Sequence, residues 1–177
     1  MNTLEAIARR KSICSYTGER ISEEEMAAIL KAANEAPVGM GKYDSLHLTR
    51  VENEEMLKEL DGAAAKLFGR PGIHPLYGAP TLILVSSKSQ NGSLSNVEYS
   101  NAAIVAHNMA LAATELGVGV CHIWGAVAAL NADPELVEKL SLPEGFVPCC
   151  GVILGKTEQA YEERTSREGH IGITELL

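Results

Sequence analysis

The chain has 177 residues, and its 15 Lys and Arg against 23 Asp and Glu leave a net charge of −8. That length suits one domain with a substantial core, while the acidic excess repels polyphosphate backbones, so no nucleic-acid partner is expected. At 46% hydrophobic and 21% charged residues, the composition is that of a soluble globular protein, and the opening "MNTLEAIARR" lacks an apolar core of signal-peptide length, so a cytoplasmic location is expected.

Asn2 or Thr3 can cap a first helix running to about Lys11, with Leu4, Ile7 and Ala8 on one face. Ser22 and Glu25 have the spacing of a capping box. They open an amphipathic helix with Met26, Ile29, Leu30 and Ala33 at helical spacing, which Pro37 and Gly39 stop. "LHLTRV" reads as a strand, "NEEMLKELDGAAAKLF" as a third helix, and "GRPGIHPLYGAP" as a loop. The continuous apolar run "TLILVSS" marks a strand covered on both faces, and the polar "KSQNGSLSN" follows it as a loop. Residues 98 to 116 form a long helix, apolar nearly all round and therefore central and buried. Residues 102 to 130 are strongly apolar, but His107, Asn108 and Glu115 interrupt them, so no membrane span is expected. "GVGVCHIWG" and "VPCCGVILG" read as two further strands on either side of a short helix, "DPELVEKL".

The tail is polar until its closing "IGITELL". An arm packing that apolar end on a partner subunit would account for this, and so would a C-terminal helix docked on its own domain. No repeat or linker divides the chain, so residues 1–177 are expected to form one domain of mixed helices and strands, with about 156–177 as the arm.

Most of the familiar chemistries have no support. None of the five histidines pairs with another ligand at helical spacing, and the four cysteines form no C-x-x-C, which argues against zinc and against a disulfide framework. Cys149 and Cys150 suit buried thiols in a strand. Gly117-x-Gly119 begins a dinucleotide fingerprint, but position 122 is His and the order is helix, glycines, strand, the reverse of what a pyrophosphate at a helix N-terminus needs. Nucleophile-elbow and Walker patterns are absent. What is left is Arg9-Arg10-Lys11-Ser12, where the first helix ends. Guanidinium and hydroxyl donors there suit a phosphate, although basic residues in a last helical turn also complement the helix dipole.

Three stretches in order, "RRKSICSYTGERISEEEMAAILKAANEAPVGMGKYDSLHLTRV", "YSNAAIVAHNMALAATELGVGVCHIWG" and "LSLPEGFVPCCGVILGK", resemble the FMN-dependent nitroreductase family over nearly the whole chain. The resemblance implies an α+β fold, a mostly antiparallel mixed sheet surrounded by helices, with one long buried helix and a C-terminal arm. It implies FMN as cofactor, NAD(P)H as transient electron donor, a homodimer, and ping-pong reduction of nitro compounds, quinones or similar acceptors. Reductive dehalogenation, desaturation, or flavin binding without turnover are the alternatives on the same fold.

By the same resemblance, Arg10, Lys11 and Ser12 grip the FMN phosphate and ribityl chain, with Arg9 assisting or lying at the surface. The segment His122, Ile123, Trp124 and Gly125 lies along the flavin ring, with a backbone N–H of Trp124 or Gly125 facing it. Arg167, or Arg164 in its place, supplies a second phosphate cation, unless both sit on a solvated helical face. The family's basic residue after Ser-hydrophobic is Cys14 here, and its Asn-x-Gln-Pro-Trp stretch is replaced by Gly41 to Ser45. Pro37, Val38 and Gly39 are left to supply backbone contacts, with Met40, Tyr43, His74 and Asn101 as substrate-side candidates. Trp124 is otherwise expected in the core, and His107 and Asn108 as satisfied internal polar groups.

Overall fold

In a computed structural model, residues 1–89, 93–163 and 169–176 are described. Helix α1 (Thr3–Arg9) opens on Asn2, whose side chain accepts from Glu5 N while Glu5 reaches back to Asn2 N. It stops two residues short of the expected Lys11, because Arg10 leaves helical backbone (φ −52°, ψ 125°). Helix α2 (Glu23–Asn34) carries the anticipated Ser22–Glu25 capping box. Short 3-10 turns at Gly39–Gly41 and Tyr43–Ser45 lead into β1 (Leu46–Val51). There follow α3 (Glu54–Leu67), β2 (Thr81–Lys88), α4 (Asn96–Glu115), β3 (Gly119–Ile123), α5 (Gly125–Asn131), α6 (Pro134–Lys139) and β4 (Phe146–Gly155).

The four strands lie in the order β1-β2-β4-β3, every neighbouring pair antiparallel. Successive side chains alternate across a strand, so each strand feeds two cores. Ile83, Val85, Val120, Val152 and Leu154 face α2 and α4, whereas Leu82, Leu84, Cys121, Ile123 and Ile153 face α3, α5 and α6. Burial on both sides explains why β2 is a continuous apolar run with no polar alternation. No helix among the described residues is long and apolar enough to cross a membrane.

Two expectations are corrected. Helix α4 is buried along Ala102, Val105, Ala106, Met109, Ala110 and Ala113, but Val97, Ile104 and His107 are exposed, so an apolar helix has one uncovered stripe. His107 is therefore at the surface of the chain, while Asn108 does meet an internal partner, its Nδ2 donating to Ala32 O at 3.2 Å. Helix α5 goes unread in the sequence: "GAVAALN" follows β3 with no capping side chain, its N-cap being Trp124. A strand reading runs on through Gly125, where the chain has already turned into helix.

The four cysteines are free thiols, with Cys121, Cys149 and Cys150 buried. Burial pushes the Cys149 thiol up to about 11 and Cys150 to about 12, which keeps both protonated and unreactive at neutral pH.

Candidate functional site

The segment after α1 is extended and lies along β3. Ile13 N donates to Val120 O at 2.9 Å, and Tyr16 Oη returns to Ile13 O at 2.9 Å. Ile13 is fully buried, so it pins the segment down while Arg10, Lys11 and Ser12, just before the anchor, stay partly or fully accessible. Tyr161 completes the clamp from the C-terminal side: its hydroxyl donates to Val118 O at 2.8 Å and accepts from Val120 N at 3.2 Å. Burial pushes that phenol up to about 12, so it stays a neutral donor.

Several cations of the molecule meet carboxylates: Arg50 with Glu23 and Glu52, Lys139 with Glu59, Lys156 with Glu25. Among the described residues no carboxylate pairs with Arg9, Arg10 or Lys11. Three adjacent cations without carboxylate partners among the described residues form a local positive potential in an acidic chain.

Next to it is a cleft of about 300 Å³ lined by Ala103, Ala106 and His107 of α4, His122 and Trp124 at the end of β3, and Cys150 and Gly151 of β4. The two imidazoles stack, their centroids 5.7 Å apart and their planes 15° from parallel. Burial, with the Arg10 guanidinium adding to it, holds His107 below the usual imidazole range. His122 is lowered by burial first, then by His107 and Arg10. The cleft thus joins a cation, two neutral rings and a small-residue wall. It can accept a flat, partly apolar molecule carrying a negative group at one end.

A family model described as the nitroreductase family matches residues 7–156. The chain belongs to the nitroreductase family. A relative from Methanothermobacter thermautotrophicus, given provisionally as an NADH dehydrogenase/NAD(P)H nitroreductase, is 32% identical over 161 residues, covering 88% of this chain and 77% of that protein. Two crystal structures of nitroreductases with bound FMN share the fold. The one from Bacteroides fragilis has a TM-score of 0.80 at 32% identity, over 99% of this chain and 100% of that one. The one from Desulfitobacterium hafniense has a TM-score of 0.84 at 28% identity, again over 99% and 100%.

Within this nitroreductase fold the predicted residues fall into groups. Arg10 and Ser12 come close to the end of β3: the Arg10 charge acts on both histidines, and Ser12 lies beside the Cys121 thiol. Lys11 lies between them on the same extended segment, while Arg9 ends α1 and borders a separate groove with Glu163. His122 and Trp124 line the cleft, Ile123 points into the core, and Gly125 opens α5. Trp124 is 67% exposed, against the core role expected of a lone tryptophan. The strand ends one residue before it, which carries the indole out of the sheet.

Asn101 is buried, and its Oδ1 accepts from Gly39 N at 3.0 Å. Its observed work is to hold the loop after Pro37, and that bond takes the Gly39 N–H. Val38 O is likewise taken, by Gly41 N. Met40 projects outward at φ +56°, and Tyr43 Oη donates to Ala36 O, so neither lines the cleft. His74 sits 3.3 Å from Asp61 of α3, away from this group. Arg164 and Arg167 lie outside the described residues. Sequence reading missed His107, Ala103, Ala106, Cys150 and Gly151 as lining. The available signal was Gly151, a glycine in mid-strand where an added Cβ would meet Ile83 O at 3.0 Å.

Proposed function

We propose that the chain is an FMN-dependent oxidoreductase that takes electrons from NAD(P)H and passes them to nitro compounds, quinones or similar small acceptors in a ping-pong cycle, as a cytoplasmic homodimer. The observation that carries this reading is Arg10 and Lys11, without a carboxylate partner among the described residues, beside a cleft of small and imidazole side chains. The residues suit FMN. Arg10, Lys11 and Ser12 offer charged and hydroxyl donors to a phosphate. Ala103, Ala106 and Gly151 leave room for a ring system. As the first residue of α5, Gly125 has an N–H without an intrahelical acceptor, free to meet a ring heteroatom.

When bound, the flavin would supply the electron transfer, which is why no acid–base triad is needed. The chain's own part is to hold and orient. Ile13 and Tyr16 fix the cationic segment, Asn101 fixes the loop after Pro37, and Trp124 covers the outer rim of the cleft. Pro37 and Val38 are assigned to the cofactor through their backbone, Met40, Tyr43 and His74 to the acceptor side, and Arg167, or Arg164 in its place, to the phosphate.

The test is an absorption spectrum of the purified protein with FMN, followed by anaerobic NADPH or NADH and then a nitroaromatic or a quinone. Bound-flavin bands that bleach with the nicotinamide and return with the acceptor are expected. Bound flavin that neither nicotinamide reduces would shift the reading to a flavin-binding protein without this turnover, and no binding would end it.

A further inference from the structure

His107 and His122 come from α4 and β3, and among the described residues lining the cleft they are the only side chains that can become positively charged. The groups facing them are few: Arg10 from the segment after α1, Cys150 from β4, and Tyr161 behind Arg10 from the C-terminal segment. Cys150 and Tyr161 stay protonated, and among the described residues no carboxylate faces the pair. The rings are thus neutral beside an uncompensated guanidinium. An oxyanion seated at Arg10 would reverse the sign of the charge they face and favour the imidazolium form. Two stacked rings with centroids 5.7 Å apart repel each other when both are charged, so the pair has room for one proton.

We propose that His107 and His122 are the proton-taking half of the phosphate site: when the phosphate of FMN seats beside Arg10, the pair takes up one shared proton and adds a second positive charge to its binding. This rests on the FMN reading above. The sign follows from linkage. A pair neutral in the free protein and charged in the complex makes FMN affinity rise as pH falls, by up to about tenfold per pH unit between the two pKa values. A pair that only becomes covered, and stays neutral, would make affinity flat or lower as pH falls.

The experiment is calorimetric titration of the full chain with FMN in buffers of different ionisation enthalpy, between about pH 6 and 8. Net proton uptake is expected, lost in a His107→Asn/His122→Asn double variant and absent with riboflavin, which lacks the phosphate. The phosphate's own second ionisation, near pH 6, is common to parent and variant, so their difference isolates the histidines. Should the double variant not fold, the imidazole NMR resonances of the parent chain, followed across the same pH range with and without FMN, serve instead: a shift of the pair toward imidazolium on FMN binding is expected, and rings that stay neutral overturn the proposal. FMN binding without uptake, or with uptake unchanged in the variant, overturns the proposal and leaves the flavin reading standing. Equal uptake with riboflavin overturns the role given to the phosphate. No FMN binding by the parent chain removes both.

Discussion

Arg10 has no acidic partner among the described residues, so its removal strands no buried charge. Arg10→Ala should therefore leave the circular dichroism and melting temperature unchanged while weakening FMN binding by about ten- to a hundredfold, the loss of roughly 1.5–3 kcal/mol of charged hydrogen bonding. Unchanged affinity in a flavin titration would move the phosphate site elsewhere. Trp124 gives a second readout, because it is the sole tryptophan of the chain and lines the cleft. Its emission should be quenched when FMN is added, and an emission blind to FMN would place the flavin away from β3. The cation run was legible as residues, since three bases in sequence stand out in an acidic chain. His107 was not, because nothing in "AIVAHNMA" tells which side of a helix will lie uncovered next to a histidine 15 positions later.

Helices and strands were the most legible level, because capping boxes and apolar runs are local signals. Helix α2 shows what the local reading leaves out. Glu25 closes its capping box, but both its carboxylate oxygens also take the Lys156 ammonium at 2.7 and 2.8 Å, tying the helix to the end of β4. The Lys156 bond, above all, holds the Glu25 carboxyl below the usual carboxylate range. A depressed carboxylate stabilises the fold above its unfolded pKa and loses that contribution as pH falls through the folded value. Glu25→Gln should thus lower the urea midpoint at neutral pH and narrow the gap from the parent below about pH 4. A gap independent of pH would show that the pair contributes packing only. Gly155, at the end of β4, has Pro80 Cδ 2.6 Å and Tyr16 Cδ1 3.0 Å from where a Cβ would stand. Gly155→Ala should cost about 1–3 kcal/mol by overpacking, read as a lower melting temperature. Because Tyr16 anchors Ile13, the same change should also loosen FMN binding.

At the scale of the whole molecule, apolar side chains remain uncovered: Ile171, Ile173 and Leu176 in the tail are 84%, 85% and 95% exposed, and Val97 and Ile104 on α4 are exposed with them. Such surface marks an interaction face, and a second copy of the chain is the occupant the homodimer reading requires. Sedimentation should give a dimer, and Ile171→Asp/Ile173→Asp should shift it toward monomer. A parent chain that runs as a monomer would leave the arm to its own domain.

By itself, the sequence determined the element order apart from α5, the Ser22–Glu25 capping box, the doubly covered strand β2, and the cation run proposed for the site. All of these are set by neighbours within a few positions, where periodicity and backbone chemistry act. Only the tertiary structure decided that α4 has an exposed stripe, that Trp124 leaves the core, that Asn101 braces a loop, and that His107 meets His122 beside Arg10. Those outcomes depend on which surfaces cover which, and burial is a property of the assembled layers. No short stretch of the sequence shows it.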